Sequence, residues 1–193
     1  LFPLSDDQLA EMLNPKALTE YTGPTGAVEG VIKIVGDPPD LRTFMKLPPG
    51  CERAAADHAP TYHKGPGGTL VDALVGVIGY TGYVRPSRED RVVTIKDCGL
   101  RPQVIDLSLG QRLMVGNEDP VPYTPQTPFP ASVRRLALKG QSPVPLFFTR
   151  PGAFGLTWLH GALPGAAVPD VTVFVIPNAL HTTSGPEGRY RIA

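Results

Sequence analysis

Alternation of apolar and polar residues is densest between Arg91 and Asn117. Val92, Thr94 and Lys96 alternate with Val93, Ile95 and Asp97, the pattern resumes from Val104 to Leu109, and Arg112–Leu113–Met114–Val115 opens a third run. A period of two sends successive side chains to opposite faces of a sheet. The breaks between the runs, Cys98–Gly99–Leu100–Arg101–Pro102 and Gly110–Gln111, are rich in turn formers. The stretch predicts three short strands of an antiparallel sheet.

The same reading predicts strands over Ala27–Val35, over Leu70–Ile78 with a bulge at Asp72–Ala73, and over Val133–Lys139, Pro145–Phe148 and Gly155–Leu159. Val171–Ile176 is the strongest single β signal, and a last strand begins at Arg189. Residues 118–132 hold five prolines, which predicts that they lie outside regular sheet. Residues 4–13 carry the best helical pattern in the chain. Ser5 can cap, Gln8 completes a capping box, Leu9, Met12 and Leu13 share one face, and Leu4 is placed to staple onto Leu9. Residues 40–69 are poor in periodicity apart from a short helical turn over Glu52–Asp57, and read as a long excursion. Eight or nine strands predict an all-β, two-sheet sandwich with Greek-key links over residues 26–193. A short helical arm, residues 1–25, precedes it. The arm's apolar face needs cover, from its own sandwich or from a neighbour.

Glycine (21) and proline (23) together make about a quarter of the 193 residues, roughly twice the usual share, which argues against a helical protein. Eighteen basic residues balance eighteen acidic ones with no long basic tract, so a nucleic-acid partner has no support. The longest apolar run is too short to cross a bilayer. No export signal is legible. The chain begins at Leu1, so the expectation is that any such segment has been removed. Two cysteines permit one disulfide, yet a pair alone fixes neither bonding nor compartment.

Candidate chemistry is sparse. The four histidines are His58, His63, His160 and His181. His58 and His63 flank Tyr62 at a spacing unlike a helical zinc motif, and read as a solvated polar loop. His160 and His181 follow strand ends and read as ordinary hydrogen-bonding histidines. No Gly-x-Ser-x-Gly elbow exists, so a hydrolase is not expected. Glu118 and Asp119 are neighbours that a strand would point apart. Tyr80, Tyr83 and Tyr123 resemble a carbohydrate platform only loosely. The proline-rich segment is different: its prolines hold an extended shape at little entropic cost. Val121, Tyr123, Phe129, Phe147 and Phe148 are placed to form an apolar surface beside it, which reads first as a packed covering loop and second as a docking surface for another subunit.

The order of features resembles exported bacterial cupredoxin-like domains of the plastocyanin-like or methylamine-utilisation type. The pieces that carry the likeness are GAVEGVIKIVGDPP, PPGCERAAADH, LVDALVGVI, VTIKDCGLRPQVIDLSLGQRLMVGNEDP and VPDVTVFVIPNALHTTSGPEGRYRI, spanning roughly residues 26–192. The resemblance implies a β-sandwich exported from the cytoplasm, with Cys51 paired to Cys98 and hence an oxidising compartment. Copper-binding members of such families place a histidine after the strand that ends in Asn-x-Asp-Pro, and a cysteine, a histidine and a methionine ahead of the last core strand. Here Tyr123 stands where the first histidine is expected, Val168 matches the second, Val171 falls where methionine is expected, and the cysteine ligand is missing. A type 1 copper site needs two imidazoles and a thiolate, so a standard centre is not expected, and the chain is expected to carry no cofactor.

The expected function is a non-catalytic, metal-free structural or interaction subunit of a cell-envelope assembly, on the periplasmic or extracellular face. Its expected partners are other envelope subunits, among them electron-transfer proteins, with contact to a membrane only through a partner or a removed anchor. The alternative is a periplasmic copper or electron-transfer protein with atypical ligands drawn from His58, His63, His160 and His181 with Met114. An enzyme would require a pocket with perturbed carboxylates such as Glu118 and Asp119.

Overall fold

The computed structural model describes residues 2–36, 39–41, 48–129, 135–160 and 171–193. In chain order the elements are α1 (Asp6–Leu13), β1 (Val28–Val31), α2 (Glu52–His58), β2 (His63–Gly65), β3 (Thr69–Val71), β4 (Leu74–Gly76), β5 (Arg91–Lys96), β6 (Gly99–Arg101), β7 (Val104–Ser108), β8 (Arg112–Asn117), β9 (Tyr123–Gln126), β10 (Val144–Phe147), β11 (Gly152–His160), β12 (Val171–Ile176), β13 (His181–Thr183) and β14 (Arg189–Ile192). The fold is mostly β and multi-sheet, with a short N-terminal helix, as the alternation predicts. Two four-stranded sheets, β10-β8-β5-β6 and β7-β12-β11-β9, form its body. Val93, Ile95, Leu113, Val115 and Leu146 from the first join Ile105, Leu107, Leu156, Trp158 and Val173 from the second in one buried cluster. Burying these side chains contributes about 1.5–3 kcal/mol each and is the main term holding the two sheets face to face.

The central stretch is not one antiparallel sheet. After β5 the chain turns through Asp97 and Cys98, both at positive φ (51° and 62°), and runs back antiparallel as β6 for three residues. A two-residue hairpin with both central residues left-handed matches the twist of the strands that it joins. Pro102 then denies the ladder an N–H, and β7 pairs in the other sheet, parallel to β12. β8 returns to lie parallel to β5. The strand expected over Leu70–Ile78 is likewise two strands, β3 and β4, parted at Asp72 (φ 59°), and they pair with β2 and β13 respectively.

The proline-rich stretch contains sheet after all: Tyr123–Gln126 is β9, with Pro125 opposite Trp158. The strand survives its proline because β9 is the edge of its sheet, where a missing donor costs no ladder bond on the inner side. Of the strand expected over Val133–Lys139, residues 133 and 134 lie outside the described residues. In the remainder Ala137 alone bridges, to Tyr123.

β1 and β14 form a two-stranded ribbon in which Gly30 faces Tyr190. A Cβ at Gly30 would lie 2.7 Å from the Tyr190 ring, so the ring occupies the space that a side chain would take. The arm folds onto its own sandwich. Ser5 and Gln8 form the capping box, Leu9 is buried in the core, Leu4, Met12 and Leu13 pack against it, and Phe2 meets the Phe147 ring edge-on at 5.6 Å.

Candidate functional site

The region where the resemblance expects a first metal ligand is a buried polar node. Asn117, Asp119 and Tyr123 meet there, brought together by the end of β8 and the start of β9. Asp119 accepts from the Asp97 amide through Oδ1 and from the Cys98 amide through Oδ2, both at 2.8 Å. The Tyr123 hydroxyl donates to the same Oδ2 at 2.9 Å. Two successive left-handed amides form a concave nest that favours an anion, and the Asp119 carboxylate fills it. Asn117 orients the carboxylate by accepting from the Asp119 amide at 2.8 Å, and it donates to the carbonyls of Val121 and Ala137. On the other side of the turn the Trp158 indole donates to the Cys98 carbonyl at 3.2 Å. Burial first, then the bond to Asp119 and its charge, hold the Tyr123 phenol well above its ordinary pKa.

The node fixes the disulfide. Cys51 and Cys98 are bonded, with Cα atoms 5.3 Å apart, as the resemblance implies. The bond draws α2 onto the sheet edge and packs His58 into the core beside Trp158, with ring centroids 6.4 Å apart. Above it lies a cleft of about 490 Å³ lined by Arg53, Asp57, Lys96, Asp97, Arg101 and Glu118 around His58. Its charges are paired within the cleft: Arg53 with Asp97 at 3.2 Å, Lys96 with Glu118 at 3.2 Å, and Arg101 with Asp57. Glu118 thus points out to solvent while its neighbour Asp119 points in, just past the end of β8.

The other expected site residues are dispersed. His58 is a core residue, not part of a solvated loop. His63 Nε2 bonds the Asp57 carbonyl at 3.0 Å. His160 closes β11 opposite Tyr123 in register, and its side chain lies outside the described residues. Met114 points outward from β8, half-buried. Among the described residues no three His, Cys, Asp or Glu side chains group to hold a metal. Val168 lies outside the described residues, and Val171 is a buried core residue at the start of β12. Both cysteines are consumed by the disulfide, and residues 161–170 contain no His, Cys or Met. The residues present do not fit a type 1 copper centre, which needs a thiolate.

The expected apolar contact surface needs correction. Tyr123 and Phe148 are wholly buried, because alternation along β9 and beyond β10 turns them inward. Phe129 packs edge-on against Phe148 and Phe154, with Arg150 over its ring at 5.3 Å, and Phe147 is covered by Phe2. Val121 is half-buried.

One constellation escapes sequence reasoning. His181 Nδ1 lies 3.1 Å from Asp106 Oδ2, and its Nε2 lies 3.0 Å from Ser108 Oγ. Arg91 and Thr183 reach the other Asp106 oxygen at 3.5 Å. Asp106 and Ser108 are two apart on one face of β7, a spacing legible in the chain, whereas His181 arrives from 73 residues away. The connectivity is that of a hydrolase triad. Ser108, however, is 4% exposed and ends strand β7, so its hydroxyl is closed off from solvent. The array ties β13 to β7. Burial would raise the Asp106 pKa, yet the bond to His181 and the charges of Arg91 and His181 hold it below the usual value.

No protein-family model matches the chain, and no curated protein matches it. Among solved structures it is similar to a purple cupredoxin from Nitrosopumilus maritimus, at 16% identity over 45% of this chain and 99% of that one, TM-score 0.32. It is similar to a copper-containing nitrite reductase from Thermus scotoductus, at 14% identity over 52% of this chain and 25% of that one, TM-score 0.32. A chain from a heme-copper terminal oxidase dimer matches at 12% identity over 54% of this chain and 79% of that one, TM-score 0.33. These likenesses are weak and partial, and they point to no particular exported bacterial family. No helix among the described residues is long and apolar enough to cross a membrane.

Proposed function

We propose that this chain is a non-catalytic, metal-free structural or interaction subunit of an exported assembly, at the periplasmic or extracellular face of a bacterial envelope. The observation that carries the reading is the engagement of Tyr123. Where a relative would offer an imidazole, this chain offers a neutral phenol spent on Asp119, and Asp119 is spent on the turn that bears Cys98. A phenol donates to a metal as phenolate, and this one is held against ionisation. The ligand region has become part of the scaffold. The buried disulfide supports export, since such bonds persist in oxidising compartments. His63 is engaged with the Asp57 carbonyl and His181 with Asp106 and Ser108, which counts against the reading with atypical ligands. The expected partners are other envelope subunits, electron-transfer proteins among them.

Metal analysis of the purified protein, after folding in the presence of copper and of zinc and removal of loosely held ions, tests the reading. The expected result is no stoichiometric metal. One tightly held copper per chain would overturn it.

A further inference from the structure

The N-terminal arm docks on the sandwich around one buried side chain, and the turn that folds it back is strained. Helix α1 has eight residues, too few to be stable alone in water, so it persists only when docked. Its single fully buried side chain is Leu9, whose terminal methyls would lie 3.5 Å from a Cβ placed at Gly110. Around that plug Phe2 packs on Phe147, and Asp6 pairs with Arg88 at 2.6 Å in solvent. The hinge is residues 14–18. The Asn14 side chain clamps Leu18 by donating to its carbonyl at 2.8 Å and accepting from its amide at 2.9 Å. Ala17 is driven to φ 47°, the left-handed region that a residue with a Cβ avoids.

We propose that residues 2–13 exchange between two copies of this chain, so that Leu9 of each fills the socket at Gly110 of the other. The inference deepens the reading as an assembly subunit and rests on it, naming a second copy as the partner. Exchange keeps every contact between arm and socket, because the same groups meet across two chains. Opening the hinge releases Ala17 from its left-handed conformation. The hinge bonds that are lost are exposed, and water replaces them at little net cost. Pro15 already biases Asn14 away from helical geometry. The straightened hinge spans roughly 16 Å, enough to cross between touching copies. Leu18 at the end of the hinge and Tyr21 just beyond it, 44% and 50% exposed, stand where two crossing chains would cover them. Reciprocal exchange is two-fold and closed, so it yields a dimer and no fibre.

The test mixes a full-length Asp6→Cys chain with a full-length Arg88→Cys chain under mild oxidation. Neither copy can join positions 6 and 88 within itself. The expected result is a disulfide-linked heterodimer whose 6–88 peptide is found by mass spectrometry. Its yield should be at least about tenfold above that of Asp6→Cys mixed with Lys139→Cys, an exposed position away from the socket, because docking raises the local concentration. Adding Ala17→Gly to both chains should lower the yield, since glycine tolerates the closed hinge. A yield no higher than the Lys139→Cys control overturns the proposal. Metal content decides the metal-free reading separately, so the two failures are distinguishable.

Discussion

The Tyr123 hydroxyl lies 2.9 Å from an Asp119 carboxylate oxygen that also holds the amide of Cys98. One short contact thus links the position of an expected metal ligand to the disulfide. The carboxylate satisfies two amides of a left-handed turn, and the turn presents Cys98 to Cys51. The Asp119 carboxylate and the Tyr123 phenol are both engaged in holding this turn.

The phenol of Tyr123 is held above its ordinary value of 10.0, by burial first and then by Asp119. In the unfolded chain it ionises near that ordinary value. Stability is therefore undiminished below the unfolded pKa and falls as pH rises from it toward the folded one, because only the unfolded state loses the proton. Denaturant unfolding across the alkaline range checks this against Tyr123→Phe. The wild type should lose stability with pH more steeply than the variant, and parallel pH profiles would refute the assignment.

The disulfide closes a separation of 47 residues. In the chain-entropy treatment a closure of that length contributes about 4 kcal/mol. Replacing both cysteines with alanine should lower stability by about that amount, and hydrogen exchange should rise first in α2, which hangs on Cys51. An exchange pattern unchanged in residues 52–58 would show that α2 is held by other means.

The Asp106–His181–Ser108 array should behave as a tether, not as a nucleophile. A serine-reactive fluorophosphonate should leave Ser108 unlabelled in the folded protein, since its hydroxyl is buried in β7. His181→Ala should cost about 1–3 kcal/mol by leaving Asp106 and Ser108 without their partner. Exchange should rise in β13 and β4. The depressed Asp106 pKa adds a pH signature: its stabilisation is present above the ordinary carboxylate value and is lost as pH falls through the lower folded one. Stoichiometric labelling of Ser108 would contradict the tether.

Much of the fold was legible because burial follows period-two patterns. Val171–Ile176 alternates and is a central strand, and Ser5 with Gln8 forms the capping box of α1. What alternation cannot fix is partner choice. Val104–Ser108 reads as a continuation of its neighbours, yet Pro102 and the hairpin at Cys98 send it to the other sheet. Pro125 reads as a breaker until the edge position of β9 is known. In the candidate site the Cys51–Cys98 bond was legible only through the family resemblance, since two cysteines alone left the pairing open. The Tyr123 bond and the His181 array were not legible, because both join residues through turns and crossovers that periodicity does not encode. The contact surface assigned to Tyr123 and Phe148 fails for the converse reason. Apolar side chains near a proline-rich loop look exposed, and strand alternation places these two inside.

The central claim is that Tyr123 and Asp119 act as one structural unit. A double-mutant cycle with Tyr123→Phe, Asp119→Ala and the double variant, read by denaturant unfolding at neutral pH, measures it directly. The account predicts a coupling energy of about 1–3 kcal/mol, as for a buried hydrogen bond to a charged group. Additive effects, with no coupling beyond error, would contradict it.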